Sequence, residues 1–146
     1  MEEIWKDIQG YEGYYQVSNL GRVKSLSKIH YIRQNSSMGY LSKERILKPI
    51  LSHNGYLLVK LSKNGKTKNF RINRLVIESF LPDKSAFKSM PDEDRKNIDL
   101  DELKVNHKDE NIKNNNISNL EWCTHKYNMN YGTINERRRK RGKEWS

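Results

Sequence analysis

Cysteine is nearly absent from this chain of 146 residues, in which Cys123 stands alone. A single thiol excludes an internal disulfide and any zinc site built from several thiolates. The sequence also lacks an apolar run long enough to span a bilayer, and its first residues lack the basic and apolar regions of a signal peptide. We therefore expect a cytoplasmic protein that has no membrane partner.

Apolar residues are scarce as well, at 34%, while 32% of residues are charged, so we expect a thin hydrophobic core. Positive charge dominates, since 28 Lys and Arg against 18 Asp and Glu give a formal net charge of +10. This excess favours a polyanionic partner such as a nucleic acid, because each phosphate that the protein neutralises releases condensed counterions. The alternative is a solvated basic surface that serves only solubility.

Short aromatic or β-branched runs alternate with glycines in the first 50 residues, a pattern typical of short antiparallel strands joined by turns. The predicted strands are Ile4–Ile8, Tyr14–Val17 and Arg22–Leu26, and the extended pattern resumes at Ile46–Leu51. Residues 27–45 are polar, and we expect them to be irregular, with an exposed loop at 34–37.

A hairpin followed by a helix is predicted for residues 51–82. Asn64 and Gly65 separate two extended runs, and this pair tolerates the positive φ angles of a tight hairpin turn. Apolar residues then follow helical spacing until Pro82 ends the pattern. The charged, proline-interrupted residues 83–102 are predicted to be a linker or insertion.

Residues 103–132 predict the order strand, loop, strand, helix. Val105–His107 is a short extended piece, a loop rich in Asn and Asp follows, and Asn119–Cys123 forms the second strand. Thr124 suits the N-cap of a short helix that carries Asn128. This order places polar side chains of both strands and of the helix in one small unit.

The same segment resembles the HNH, or ββα-metal, nuclease motif, because Val105-Asn106-His107 is followed by Asn119 and then by Asn128. Residues 5–8 (WKDI) and 10–23 (GYEGYYQVSNLGRV) independently resemble the DNA-binding module found in phage and intron-encoded HNH homing endonucleases. The resemblance covers most of the chain outside the predicted linker and tail.

The resemblance implies an α+β fold in which an N-terminal antiparallel β module, at residues 1–50, binds DNA. The hairpin and helix of residues 51–82 would connect this module, through the linker at 83–102, to a ββα-metal (HNH) nuclease core at residues 103–132. Residues 133–146 form a basic tail that either lies along a phosphate backbone or is unstructured.

The resemblance also implies roles for individual residues. His107 would be the general base, since a neutral imidazole can accept a proton from water near pH 7. Asn106 and Asn128 would hold one divalent metal ion, Mg²⁺ or Mn²⁺, because amide oxygens suit a hard cation. Asn119 would support the site by hydrogen bonds across the loop. His125 would be an auxiliary acid or phosphate contact, although an exposed first-turn residue is the simpler interpretation.

Two positions depart from many similar sequences, which carry Asp where this chain has Asn106 and His where it has Asn128. Both predicted ligands are therefore uncharged. We expect the ion to depend on DNA phosphates and to bind poorly to the free protein.

The expected partner is double-stranded DNA, nicked by a monomer or weak dimer of phage or prophage origin in a bacterial host cell. The basic residues predicted to contact DNA are Arg22, Lys24, Lys48, Lys60, Arg74, Arg137, Arg138 and Arg139. Two alternatives stay open. One is an HNH protein with weak or no catalysis that acts as a DNA-binding regulator or phage accessory factor, and the other is a protein that binds or cleaves RNA.

Overall fold

The structure is a computed structural model, and it describes residues 1–31 and 38–133. The predicted loop at 34–37 lies outside the described residues, and so does the predicted tail from residue 134 onward, including Arg137, Arg138 and Arg139. None of the helices within the two described ranges has the length and hydropathy needed to cross a membrane.

Short antiparallel strands and two helices make up the described chain, which confirms the predicted α+β class. The strands are β1 (Trp5–Asp7), β2 (Tyr15–Ser18), β3 (Val23–Ser25), β4 (Ile29–Tyr31), β5 (Gly39–Leu41), β6 (Arg45–Ile46), β7 (Ile50–Leu51), β8 (Leu57–Lys63), β9 (Lys66–Arg71), β10 (Lys104–His107) and β11 (Leu120–Cys123). The helices are α1 (Ile72–Phe80) and α2 (His125–Met129), and 3₁₀ turns span Arg95–Asn97, Leu100–Glu102 and Ile117–Asn119.

The N-terminal sheet has the strand order β1-β2-β3-β6, with every neighbouring pair antiparallel. The strands predicted in the first 26 residues are thereby confirmed, with β1 and β3 shorter than predicted and β2 shifted by one residue. The prediction of irregular structure for residues 27–45 is wrong, since β4 and β5 form an antiparallel hairpin there. Each of these strands has only three residues. That length is too short for a period-two pattern to be recognised in the sequence.

A second sheet has the order β7-β8-β9, and its β8–β9 pair is the predicted hairpin. Asn64 and Gly65 both have positive φ, at 53° and 74°, as the tight turn between the strands requires. The predicted helix is also confirmed, because α1 starts directly after β9 and buries an apolar face that includes Ile72 and Val76.

One hydrophobic cluster joins the N-terminal sheet to the C-terminal segment. Val17 and Val23 from the first sheet belong to the same core as Leu61 from the second sheet and Leu120 and Trp122 from β11. These five side chains are at most 2% exposed. Because the core is shared, the N-terminal and C-terminal parts are packed against each other.

The predicted linker at residues 83–102 packs on this core as well. Phe87 is buried in the cluster. The backbone N–H of Lys88 donates to the carbonyl of Trp122, and that of Thr124 donates to the carbonyl of Lys88, at 2.8 and 2.9 Å. The segment therefore adds a short parallel bridge beside β11.

Candidate active site

The predicted strand–loop–strand–helix unit is present as β10, a loop, β11 and α2. The two strands are antiparallel, with Asn106 paired opposite Glu121 and His107 opposite Leu120. Thr124 is the N-cap of α2, and its side-chain oxygen accepts a hydrogen bond from the backbone N–H of Tyr127 at 3.1 Å. The loop leads back to β11 through a 3₁₀ turn.

A small pocket of about 100 Å³ brings together three of the predicted site residues, namely Asn106, His107 and Asn128. Tyr56, which precedes β8, and Tyr131, which follows α2, form part of its wall. The pocket thus lies where β10, α2 and the second sheet meet. Its lining combines two side-chain amides, one imidazole and the carboxylate of Glu110 with aromatic and aliphatic surface.

His107 is almost buried, with 4% of its surface exposed. Its Nε2 lies 2.9 Å from Oδ1 of Asn115 in the loop. Burial lowers the pKa of His107 below its ordinary value, while the bond to Asn115 and the charge of Asp109 act in the opposite direction. The imidazole is therefore neutral at pH 7, the form that can accept a proton.

Asn106 is buried to the same degree, and its Nδ2 donates a hydrogen bond to Oε1 of Glu121 at 2.9 Å. Since the two ends of an amide point in different directions, Oδ1 of Asn106 is turned away from that carboxylate. Burial and the nearby charge of Glu121 raise the pKa of Tyr127 on α2. Glu121 thus lies near the helix as well as near the first strand.

Asn119 lies at the end of the loop and is buried. Its Oδ1 accepts from the backbone N–H of Asp109 at 3.0 Å, and its Nδ2 donates to Oδ1 of Asp109 and to the carbonyl of Asn114, both at 2.9 Å. These three bonds close the loop between His107 and β11.

Some predicted residues are not brought to the pocket. His125 is exposed at the start of α2 and lines a different groove, together with Glu93 and Asn97. Among the predicted DNA contacts, Lys48 and Lys60 are exposed. Arg22 pairs with Glu3, Lys24 pairs with Glu44 at 2.9 Å, and Arg74 lies 4.0 Å from Glu78.

Sequence reasoning missed Asn115 and Glu121 as partners of the site. The sequence predicts only a loop rich in Asn and Asp at this place, whereas Asn115 contacts His107. Three successive asparagines at 114–116 do not indicate which of them turns inward. Glu121 is an acidic residue on the second predicted strand. The sequence cannot assign it to Asn106, because the register of the two strands decides which residues lie opposite each other.

The N-terminal part also reaches this loop. The backbone N–H of Ile117 donates to the carbonyl of Asn19 at 2.8 Å. A Cβ on Gly21, in the turn between β2 and β3, would lie 3.0 Å from both Cβ and the carbonyl oxygen of Asn115. The turn therefore rests directly on the residue that contacts His107.

Two family models match the chain. The model described as NUMOD4 motif matches residues 3–62, and the model described as HNH endonuclease matches residues 96–130. The second range contains the strands, loop and helix that form the pocket, apart from Tyr56 and Tyr131.

Similar proteins include the DNA endonuclease I-HmuI of Bacillus phage SP01, which is 36% identical over 135 residues, covering 90% of this chain and 60% of the relative. An HNH endonuclease of Acanthamoeba polyphaga mimivirus is 35% identical over 131 residues, or 90% of this chain and 30% of the relative. A solved structure of DNA binding and cleavage by the HNH homing endonuclease I-HmuI matches with a TM-score of 0.57 at 36% identity, covering 97% of this chain. The chain thus spans 60% of the length of I-HmuI.

Proposed function

The chain is homologous to the HNH homing endonucleases, and from that premise we propose that it is a metal-dependent endonuclease that hydrolyses a phosphodiester bond of double-stranded DNA. The observation that carries the proposal is the pocket shared by Asn106, His107 and Asn128. The net charge of +10 supports a polyanionic substrate. A single such pocket in the described residues favours nicking by a monomer or weak dimer.

His107 is the proposed general base. In the amide orientation of the structure, Oδ1 of Asn115 faces Nε2, so the neutral ring carries its proton on Nε2 and donates it to Asn115. The lone pair of Nδ1 then remains to take a proton from the attacking water. General base catalysis of this kind contributes about 10²- to 10⁴-fold in rate.

Asn106 and Asn128 are the proposed metal ligands, and the donor set fits a hard cation. Amide oxygens are ligands that Mg²⁺ and Mn²⁺ accept, and the described residues contain no cluster of three His, Cys, Asp or Glu that would compete for the ion. When bound, the ion would neutralise charge on the scissile phosphate and on the departing 3′ oxygen. Since both ligands are uncharged, we propose that DNA phosphates complete the site.

Asn119 and Asn115 are the proposed positioning residues. Asn119 closes the loop by three hydrogen bonds, and Asn115 orients the ring of His107. A fixed ring matters because catalysis depends on holding the base in the correct direction before the phosphate arrives.

The test is a nicking assay on supercoiled plasmid with Mg²⁺ or Mn²⁺ and with EDTA. We expect nicking that requires the metal and that falls at least about 100-fold in His107→Ala. The control is His53→Ala, which removes an exposed imidazole outside the pocket and should nick at the wild-type rate. Circular dichroism establishes that both variants are folded. Metal-dependent nicking that survives in His107→Ala would refute the assignment.

A second candidate function is a DNA-binding regulator or phage accessory factor, and the two uncharged ligands favour it. Under this alternative, wild type and His107→Ala bind duplex DNA equally and neither nicks it. The same proteins incubated with RNA test the remaining alternative, an RNA-cleaving protein. We propose that the protein acts in a bacterial cell infected by, or carrying, a phage, as its relative from a Bacillus phage suggests.

A further inference from the structure

We propose that Glu121 supplies, through Asn106, the negative charge that the two uncharged ligands of the metal site lack. The inference rests on the proposed function, because it assigns a role toward the ion that Asn106 would hold. It makes Glu121 a positioning residue that acts on a ligand rather than a ligand itself.

The first observation is the register of β10 and β11, which places Glu121 directly opposite Asn106. Nδ2 of Asn106 donates to Oε1 of Glu121 at 2.9 Å. A side-chain amide can otherwise rotate by half a turn and exchange its oxygen and nitrogen at nearly equal cost. The carboxylate removes this ambiguity, because it accepts hydrogen bonds and repels the amide oxygen. Oδ1 of Asn106 is thereby committed to the side away from Glu121.

The second observation is that the charge of Glu121 has no cationic partner. Among residues 1–31 and 38–133, no Lys, Arg or His forms an ion pair with it. Its hydrogen-bond partner is the buried amide of Asn106. The negative charge of this half-buried carboxylate is therefore not neutralised by a neighbouring cation of the described chain. It can act on a divalent ion bound beside Asn106.

The physical effect is polarisation of the amide. A carboxylate bound to the N–H end draws positive charge toward it and leaves the oxygen end more negative, so Oδ1 becomes a better ligand for a cation. Partners of this kind behind a metal ligand fix its orientation and raise its basicity, and their loss costs about 10- to 100-fold in metal affinity. The simpler alternative is a cross-strand pair that stabilises only the β10–β11 register, at about 0.2–1 kcal/mol.

The experiment measures Mn²⁺ binding to the free protein without turnover, in titrations that reach millimolar concentrations because binding without DNA phosphates is expected to be weak. Bound Mn²⁺ broadens nearby resonances, so the side-chain amide signals of Asn106 and Asn128 in ¹H–¹⁵N spectra report binding at the pocket. Glu121→Gln keeps the size of the side chain and an oxygen that can accept from Asn106, and it removes only the charge. We expect the Mn²⁺ concentration for half-maximal broadening to rise about 10- to 100-fold in this variant.

Two further variants separate charge from structure. The double variant Asn106→Asp with Glu121→Gln moves the carboxylate to the ligand and lets the new side-chain amide at position 121 donate to it. Mn²⁺ binding should then return to wild-type strength or better. Glu102→Gln makes the same change in net charge at an exposed site and should bind Mn²⁺ like wild type. Thermal unfolding of each variant shows that the fold is retained.

Unchanged Mn²⁺ binding in Glu121→Gln would overturn the inference, and so would a double variant that binds as weakly as Glu121→Gln. Neither outcome contradicts the proposed function if His107-dependent nicking is observed. Wild-type protein in which Mn²⁺ broadens neither amide, both without DNA and with a short duplex bound, would overturn both the inference and the assignment of Asn106 and Asn128 as ligands. Glu121-dependent broadening in a protein that does not nick would support the inference and refute only catalysis.

Discussion

Replacing Gly21 with alanine should damage the loop that holds His107, although Gly21 lies in the N-terminal sheet. The residue has φ of +91°, and an added Cβ would lie 3.0 Å from Cβ and the carbonyl oxygen of Asn115 and 3.1 Å from its carbonyl carbon. Two of these three atoms are backbone, so rotation of the Asn115 side chain cannot relieve the contact. The backbone of the loop must move instead.

The expected loss in free energy of unfolding has two parts. A left-handed backbone conformation costs a non-glycine residue about 1–2 kcal/mol. Forcing a methyl group into a packed contact costs about 1–3 kcal/mol. The sum, about 2–5 kcal/mol, is smaller than the stability of most domains, about 5–15 kcal/mol, so Gly21→Ala should still fold. Gly10→Ala is the matched control, because its φ is +87° and its Cβ would meet nothing within 4 Å.

Urea unfolding of wild type and of both variants at one temperature measures the two parts separately. Gly10→Ala should lose only the conformational part, and Gly21→Ala should lose about 1–3 kcal/mol more. In plasmid nicking, Gly21→Ala should also be slower than Gly10→Ala, because a shifted Asn115 no longer holds Nε2 of His107. Equal destabilisation by the two substitutions would refute the inference that the turn presses on the loop.

Two further predictions concern buried polar groups near the site. Asn119→Ala removes three hydrogen bonds and should lower the free energy of unfolding by about 2–4 kcal/mol in urea titration, while a loss below about 1 kcal/mol would contradict the loop-closing role. Cys123 is fully buried and burial raises its pKa to about 12, so the native protein should not react with a thiol reagent at pH 8 until denaturant is added. Rapid labelling of the native protein would show that β11 is open to solvent.

Local chemistry explains which parts of the fold could be predicted from the sequence. Asn64-Gly65 is confirmed as a hairpin turn because few other residue pairs adopt two successive positive φ angles. Helix α1 follows from the spacing of its buried residues. The β4–β5 hairpin was missed because its residues are mostly exposed and no apolar face marks either strand. Its pairing is a tertiary property that a three-residue run does not encode.

The candidate site likewise has residues that could be predicted from the sequence and residues that could not. Asn106, His107 and Asn128 were predicted from their order and spacing within one motif, and the structure places them in one pocket. Asn115 could not be assigned to His107, because the loop conformation decides which of three successive asparagines turns inward. Glu121 could not be assigned to Asn106, because a shift of one residue in the strand register would have put a different side chain there.

The contacts at the loop imply that the N-terminal sheet supports the loop that holds His107. The carbonyl of Asn19 holds the backbone of Ile117, and the Gly21 turn packs on Asn115, which in turn holds His107. A displacement of the β2–β3 turn would therefore be passed to His107 through the direct contacts of Gly21 with Asn115 and of Asn115 with His107. Since packed contacts resist small displacements, the N-terminal sheet fixes the direction of the imidazole as well as its position. The φ of +91° at Gly21 and the close approach of Asn115 explain why glycine is favoured at position 21.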